Sequence, residues 1–367
     1  MAVTAVSPAV LERLSRLESA GNPVLSVYLD LDPSRFPTPA AREAELSALL
    51  SSAGAHDLDA ERVRDAVGSH PELAHGAGAV AIFSCAAADA LEILALPEPA
   101  QPLVVLDTVP WLEPLAAMLT TGDWGVAVLS RRTARLFRGG AEGLVEFAAI
   151  RDDVHGRHAQ GGWSQARFAR GIEQQVAEHV RHTAELLLRA HRRRPFDQLV
   201  IVASDELAPV VESSLSRDLH DRLAGMIERD LEHATPQDIE RALAPVFDRA
   251  ERDRERALIS RRGDALATGG PAAAGLDEVL ATLEEARVEL LLVADQASLT
   301  AGLCARCGRL SASAEGRCRF DDAPLASVDA VEHIVALAAR HSVELVVIRH
   351  GRDALGEHGP VAALLRW

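Results

Sequence analysis

The most regular alternation of apolar and polar positions lies just before the middle of the chain. Phe168, Ile172, Val176, Val180, Ala184 and Leu187 recur every three or four residues, and Arg167, Arg170, Gln174, Glu178, Arg181, Glu185 and Arg189 fall on the opposite side. At 3.6 residues per turn these sets form two stripes, one for burial and one for solvent. They predict a long amphipathic helix over residues 164–190. Pro195, which has no amide proton to donate, stops it. The following run QLVIVA, from Gln198, predicts a strand. Thr235-Pro236 opens a second long helix, with Thr as cap and Pro in the first turn, reaching about residue 261.

Upstream, DWGVAVLS (from Asp123), TARLFRG and GLVEFAA are separated by Gly-rich turns, as antiparallel hairpins require. Before them, a helix over residues 9–18 and strands over 24–30, 78–83 and 103–106 predict a mixed α/β segment. A Gly/Ala-rich passage at 267–275 marks a further boundary. After it, helices over 276–285 and 328–340 alternate with strands over 289–294 and 343–349, and an apolar run over 361–365 closes the chain. This alternation predicts an α/β/α sandwich. The length of 367 residues exceeds one ordinary domain. The expected fold is therefore α/β in three domains, residues 1–121, 122–266 and 267–367.

Composition narrows the function classes. With 48% hydrophobic residues the chain can build cores, yet no apolar run reaches the roughly 20 residues of a membrane helix. The first residues lack the basic stretch and apolar run of a secretory leader, so a cytoplasmic location is expected. A formal charge of −16 argues against indiscriminate nucleic-acid binding, which depends on neutralising many phosphates. It leaves room for a local basic tip, because solvent-exposed charges more than about 8 Å apart are largely screened.

The stretch HGRHAQGGWSQARFAR, from His155 to Arg170, is such a tip. Arg157, Arg167 and Arg170, with His155 and His158, suit phosphate contacts. Trp163 beside Gly161 and Gly162 suits stacking on an unpaired base. Ser164 is also an ordinary helix cap, and arginine is ordinary on a solvated helix face. Cys304-Ala-Arg-Cys307-Gly308 is a knuckle that lets two thiolates reach one ion. Cys318-Arg-Phe-Asp321 stands where a second pair would complete the site, with Asp321 in place of a fourth cysteine. The readings are a closed structural zinc site and a decayed site without metal. Neither leaves an open position for catalysis. There is no phosphate-cradling Gly-Lys-Ser/Thr loop, and the strands VAVLS, ARLFR and LVIVA carry no carboxylates to hold a nuclease's Mg²⁺.

The run Gly161-Gly162-Trp163-Ser164-Gln165-Ala166-Arg167-Phe168-Ala169-Arg170 resembles the middle-domain signature of the eukaryotic and archaeal class-1 peptide-chain release factors. That signature is Gly-Gly-Gln followed by Ser-x-x-Arg-Phe-Ala-Arg. The hairpin from Trp124 is similar to the family's entry into this domain. The Gly-Gly-Pro linker, the helix from Leu276, the strand ELLLVAD, the knuckle and the ending GPVAALLRW parallel its third domain. The resemblance covers residues 122–367 and implies a ribonuclease-H-like middle domain and an L7Ae-like C-terminal domain.

Two departures shape what it implies. In the family the Gln helps place the water that hydrolyses peptidyl-tRNA. Trp163 stands there instead, with one N–H donor and no acceptor. The Asn-Ile-Lys-Ser-type motif that reads stop codons is missing from the first segment. The combination resembles the bacterial branch of this superfamily, with its Pelota-like shape and its Balon-type hibernation factors. The resemblance implies an A-site occupant of the 70S ribosome with no catalytic residue. The tip from His155 to Arg170 would lie on 23S rRNA near the peptidyl-transferase centre, and EF-Tu or another delivery GTPase would dock on the third domain. The rivals are a rescue factor that hydrolyses peptidyl-tRNA through an altered tip including Gln165, and an interaction protein with no ribosomal role.

Overall fold

The computed structural model describes residues 6–355 and 359–367, apart from 18–21, 32–34, 37, 56–57, 70–77, 97–99, 121, 141–142 and 153–164. Residues Thr121–Glu251 form one compact unit; Met1–Thr120 and Arg252–Trp367 together form the other.

The first segment starts with α1 (Pro8–Leu14), where the Ser7 hydroxyl accepts the Val10 N–H and Pro8 occupies the first turn. Then follow β1 (Val24–Asp30), α2 (Pro39–Ser52), α3 (Leu58–Ser69), β2 (Ala79–Cys85), β3 (Ala90–Leu96), β4 (Leu103–Asp107) and α4 (Glu113–Thr120). The strands make an antiparallel sheet in the order β3-β2-β1-β4. Side chains alternate across it. Val27, Val80 and Ile82 meet Leu46, Leu50 and Val63 of α2 and α3 on one face, while Tyr28, Ala81 and Phe83 point into a second core.

The middle unit is built on β5 (Trp124–Leu129), β6 (Thr133–Gly140) and β7 (Gly143–Arg151), followed by α5 (Gln165–Arg193) and β8 (Gln198–Val202). The helices α6 (Ala208–Ser214) and α7 (Arg217–His220), the strand β9 (Leu223–Ile227) and the helix α8 (Pro236–Ala267) come next. The sheet order is β7-β6-β5-β8-β9, antiparallel at β7-β6-β5 and parallel at β5-β8-β9, which is a ribonuclease-H-like order. The apolar stripe of α5, with Ile172, Val176, Val180 and Leu187, packs on Ala127, Leu136 and Ile201. The start of α8, with Ile239, Leu243 and Phe247, covers the other face at Trp124, Val126 and Val200.

The last segment contains β10 (Ala272–Ala274), α9 (Leu276–Glu284), β11 (Val288–Ala294), β12 (Thr300–Cys304), β13 (Leu310–Ser311) and β14 (Leu325–Asp329). It ends with α10 (Ala330–Arg340), β15 (Glu344–Ile348), α11 (Arg352–Leu355) and β16 (Val361–Leu365). The sheet β10-β16-β11-β15 has α9 and α10 on one face and the end of α8 with α11 on the other. This is the α/β/α sandwich, with β12, β13 and β14 as a separate small sheet. Helix boundaries differ from the sequence pattern: α1 ends at Leu14 rather than 18, α8 runs to Ala267 rather than about 261, and α10 starts later than 328. Residue 328 lies in β14, and the Asp329 carboxylate accepts the Val331 N–H at 3.0 Å, so α10 starts at Ala330.

The two outer segments, separate in the sequence pattern, share one core. Tyr28, Phe83 and Leu112 belong to the same buried cluster as Leu283, Leu291 and Ile334. Buried carboxylates fix the contacts that apolar packing leaves undirected. Glu255 of α8, 3% exposed, accepts the N–H groups of Arg349, His350 and Gly351 at 2.9, 2.8 and 3.0 Å. Glu332 of α10, 1% exposed, accepts the Leu112 N–H at 2.8 Å and the Glu113 N–H at 3.4 Å at the start of α4. Its Oε1 meets no polar partner among the described residues.

Burial first, with the nearby Glu113 carboxylate adding to it, pushes the Glu332 carboxyl up to about 8 from its ordinary 4.5. The folded chain therefore holds a proton that the unfolded chain releases. The stability this contributes is complete below pH 4.5 and is lost as pH rises towards about 8. Denaturant unfolding across that window is expected to show falling stability in the wild type. Glu332→Gln should flatten the slope and exceed the wild type by more than about 1.4 kcal/mol at the alkaline end, the equivalent of one pKa unit. Equal slopes would show that Glu332 is ionised in the folded chain.

Candidate functional site

Two knuckles of one backbone design converge at the edge of the small sheet. In the first, the Gly308 N–H donates to the Cys304 carbonyl at 2.8 Å and the Cys304 N–H to the Arg309 carbonyl at 3.0 Å. In the second, the Asp322 N–H donates to the Cys318 carbonyl at 3.0 Å and the Cys318 N–H to the Ala323 carbonyl at 2.8 Å. Each knuckle turns on a residue with left-handed backbone, Gly308 at φ 70° and Asp322 at φ 56°. Asp321 therefore occupies in the second knuckle the place of Cys307 in the first. Behind them, β12 comes close to the backbone of Ser313. A Cβ at Gly302 would lie 2.4 Å from that carbonyl oxygen, so only glycine fits.

The four candidate ligand atoms lie within 4.8 Å of one another. Cys307 Sγ and Cys318 Sγ are 3.6 Å apart, and Cys304 Sγ is 3.3 and 3.5 Å from the two Asp321 oxygens. A tetrahedral ion with bonds of about 2.0–2.3 Å has ligand-to-ligand edges of roughly 3.4–3.8 Å, so the donor set fits one ion. The Ala323 N–H, donating at 3.1 Å, holds the Asp321 carboxyl below the usual carboxylate range and keeps it ready as an anionic ligand. The residues Cys304, Cys307, Cys318 and Asp321 could thus bind a metal.

The basic tip is placed only in part. His155, Arg157, His158, Gly161, Gly162, Trp163 and Ser164 lie outside the described residues. Gln165 and Arg167 belong to the first turn of α5, and Arg170 follows, exposed, one turn on. At the base of the tip the structure adds residues that the motif did not mark. Asp152 Oδ2, just after β7, lies 2.7 Å from His179 Nδ1 and 3.6 Å from His182 Nδ1, both on α5. The His179 hydrogen bond holds the Asp152 carboxyl below its usual range. His179 is 1% exposed, and its Nε2 has no polar partner among the described residues. This pair ties the end of β7 to α5 across the two ends of the tip segment. The signal in the sequence was the heptad spacing of Ile172 and His179, which puts the imidazole on the buried stripe.

The chain is thus a multi-sheet α/β protein with a ribonuclease-H-like middle sheet and a paired knuckle in a C-terminal sandwich. Residues 110–255 match the profile of bacterial archaeo-eukaryotic release factor family 10. That match and the alignment with a curated relative are likenesses of part of this chain to the release factor/Pelota superfamily. It is 28% identical over 214 residues to peptide chain release factor subunit 1 of Methanopyrus kandleri, an alignment covering 56% of this chain. The chain spans about half the length of that curated relative, 51%. Among solved structures it is similar to Pelota of Archaeoglobus fulgidus, at 12% identity, with 100% and 94% of the two chains covered and a TM-score of 0.36. It is also similar to an archaeal Pelota from a model of ribosome-bound Pelota and ABCE1, at 14% identity, 100% and 95% coverage and a TM-score of 0.42.

Elemental analysis of untagged protein is expected to find about one transition-metal ion per chain. Cys318→Ser should lose the ion and several degrees of melting temperature, because a structural ion adds its binding free energy to folding. A metal content near zero in the wild type would remove the site.

Proposed function

We propose that this protein is a non-catalytic translation factor that binds the 70S ribosome and occupies the A site of idle or stalled particles, as hibernation factors do. The observation that carries this reading is a release-factor-like middle segment whose tip has Trp163 where the family has its hydrolytic glutamine. An indole offers one donor and no acceptor, so it cannot place a water as a carboxamide does. It does offer a broad face for stacking on an unpaired base.

On this reading Arg157, Arg167 and Arg170 meet 23S rRNA phosphates, and Trp163 plugs or stacks near the peptidyl-transferase centre. The helix α5, with 29 residues and about 40 Å in length, carries the end of the tip on a stripe held against the sheet. Zinc is the ion proposed for the knuckle, since three thiolates and a carboxylate at tetrahedral spacing suit it, and its role is structural. EF-Tu or another delivery GTPase is the proposed carrier. No membrane role is proposed, and no described helix is long and apolar enough to cross one.

The test is co-sedimentation with vacant 70S ribosomes at near-physiological salt. Stoichiometric pelleting that competes with A-site tRNA is expected. Trp163→Ala combined with Arg167→Glu should weaken it at least tenfold, the loss of about one stacked base. Unchanged affinity in that variant would show that the tip is not the anchor. Release of labelled peptide from stalled complexes, abolished by Gln165→Ala, would instead make the protein a rescue hydrolase.

A further inference from the structure

A cavity of about 240 Å³ opens where α9, the first knuckle and α10 meet the residues that lead into α4. Its apolar lining comes from Val109, Leu280, Leu310 and Leu337. Its polar lining is one-sided: Arg309, His333, Arg340 and His341, against Glu284 alone. In a chain of formal charge −16 this gathering of two guanidinium and two imidazole groups is disproportionate. Val109, Leu280 and His333 are buried and make the floor; Arg309 and His341 are exposed and stand at the mouth.

Three of the four basic side chains are held in place by neighbouring groups. The Arg309 guanidinium lies 3.3 Å from Glu284 and 4.0 Å over the Phe320 ring. Arg340 Nε donates to the Ser15 carbonyl at 2.9 Å. His333 Nδ1 lies 3.1 Å from the Asp329 carbonyl and Nε2 3.4 Å from the Thr108 hydroxyl. Side chains fixed in this way lose little freedom when an anion arrives. Guanidinium groups match the geometry of phosphate oxygens, and apolar walls with a few converging polar groups are the ordinary make-up of a ligand site. The volume lies below the roughly 300–1,000 Å³ of drug-sized pockets, which restricts the occupant to a small molecule.

We propose that this cavity binds a small organic phosphate, of nucleoside-monophosphate size or less. The phosphoryl group sits among Arg309, Arg340 and His341, and the carbon body lies against Val109, Leu280 and Leu337. A phosphate offers more acceptor oxygens than a single carboxylate to the two guanidinium groups and His341 at once. Every lining residue lies outside residues 110–255, the segment that the family profile matches, and none belongs to the tip on which the proposed function rests.

Calorimetric titration of the full chain with AMP, adenosine and inorganic phosphate tests it. One AMP per chain is expected, with a Kd below about 1 mM. Adenosine and phosphate should each bind at least roughly tenfold more weakly, since the charge-assisted contacts and the apolar contacts are both needed. Arg309→Gln with His341→Ala changes exposed side chains and should weaken AMP at least tenfold, about the loss of one charged hydrogen bond. Leu337→Trp keeps every cation, fills the space, and should abolish binding. Melting curves of both variants confirm that they are folded. The absence of AMP binding in the millimolar range overturns the proposal. So does AMP affinity no greater than that of adenosine or phosphate, or unchanged affinity in folded variants.

Discussion

A core assembled from the two ends of the chain is the constraint on which the rest depends. Tyr28, Phe83 and Leu112 from the first 120 residues share one buried cluster with Leu283, Leu291 and Ile334 from the last 116. The middle unit is, in sequence, an insertion between them. Such an insertion is tolerable because the entropy of closing a loop grows only slowly with its length. It also needs a core of its own, and the sheet of β5 to β9 with α5 and the start of α8 provides one. Apolar burial is non-directional, so polar contacts must set the register between the joined segments. Glu332 does this by accepting the Leu112 and Glu113 N–H groups from the first segment, and Glu255 does the same within the last one, for Arg349, His350 and Gly351. A carboxylate used in this way costs desolvation, which is why the most buried one holds its proton to about pH 8.

The knuckles follow the opposite logic. Their geometry is local, set by two matched pairs of backbone hydrogen bonds and two left-handed residues, and it places four donor atoms on one small volume. Backbone order of this kind presents a closed ligand set without long-range packing. The same knuckle lends Arg309 to the wall of the neighbouring cavity, so order at the cysteines and order at the cavity mouth are coupled through two residues of chain.

Local periodicity made much of this legible. The stripe of α5, the hairpin of β6 and β7, the strands β11 and β15, and the register of Asp321 with Cys307 all follow from spacing within a few residues. What lay beyond spacing was long-range. The antiparallel return of β16 beside β11, and the joining of the two outer segments in one core, depend on partners tens to hundreds of residues away. Nothing local in AVEHIVALAAR marks Glu332 as buried, because its partner is a backbone N–H more than 200 residues distant. His179 was more readable, because seven residues separate it from Ile172 on the buried stripe; what the sequence did not give was Asp152 as its partner. Of the tip itself, the motif fixed the composition, and the structure fixes its two anchoring ends.

The two replacements, at Asp321 in the knuckle and Trp163 at the tip, differ in chemistry. Asp321 for cysteine keeps an anionic donor at the same place in the knuckle, so a four-donor set that could hold a metal is retained with one oxygen in it. Trp163 for glutamine keeps neither the acceptor nor the size. Hydrolysis needs a water held by donor and acceptor at hydrogen-bond distance, and a displacement of about 1 Å is costly. Occupancy needs only contact area, a stacking surface and compensated phosphate charge, all of which tolerate small displacements. On the proposed reading, an indole at the tip suits the second set of properties and not the first. A chain with the arginines behind the tip and the helix that carries them, but without the carboxamide, would then have what binding requires and lack what hydrolysis requires.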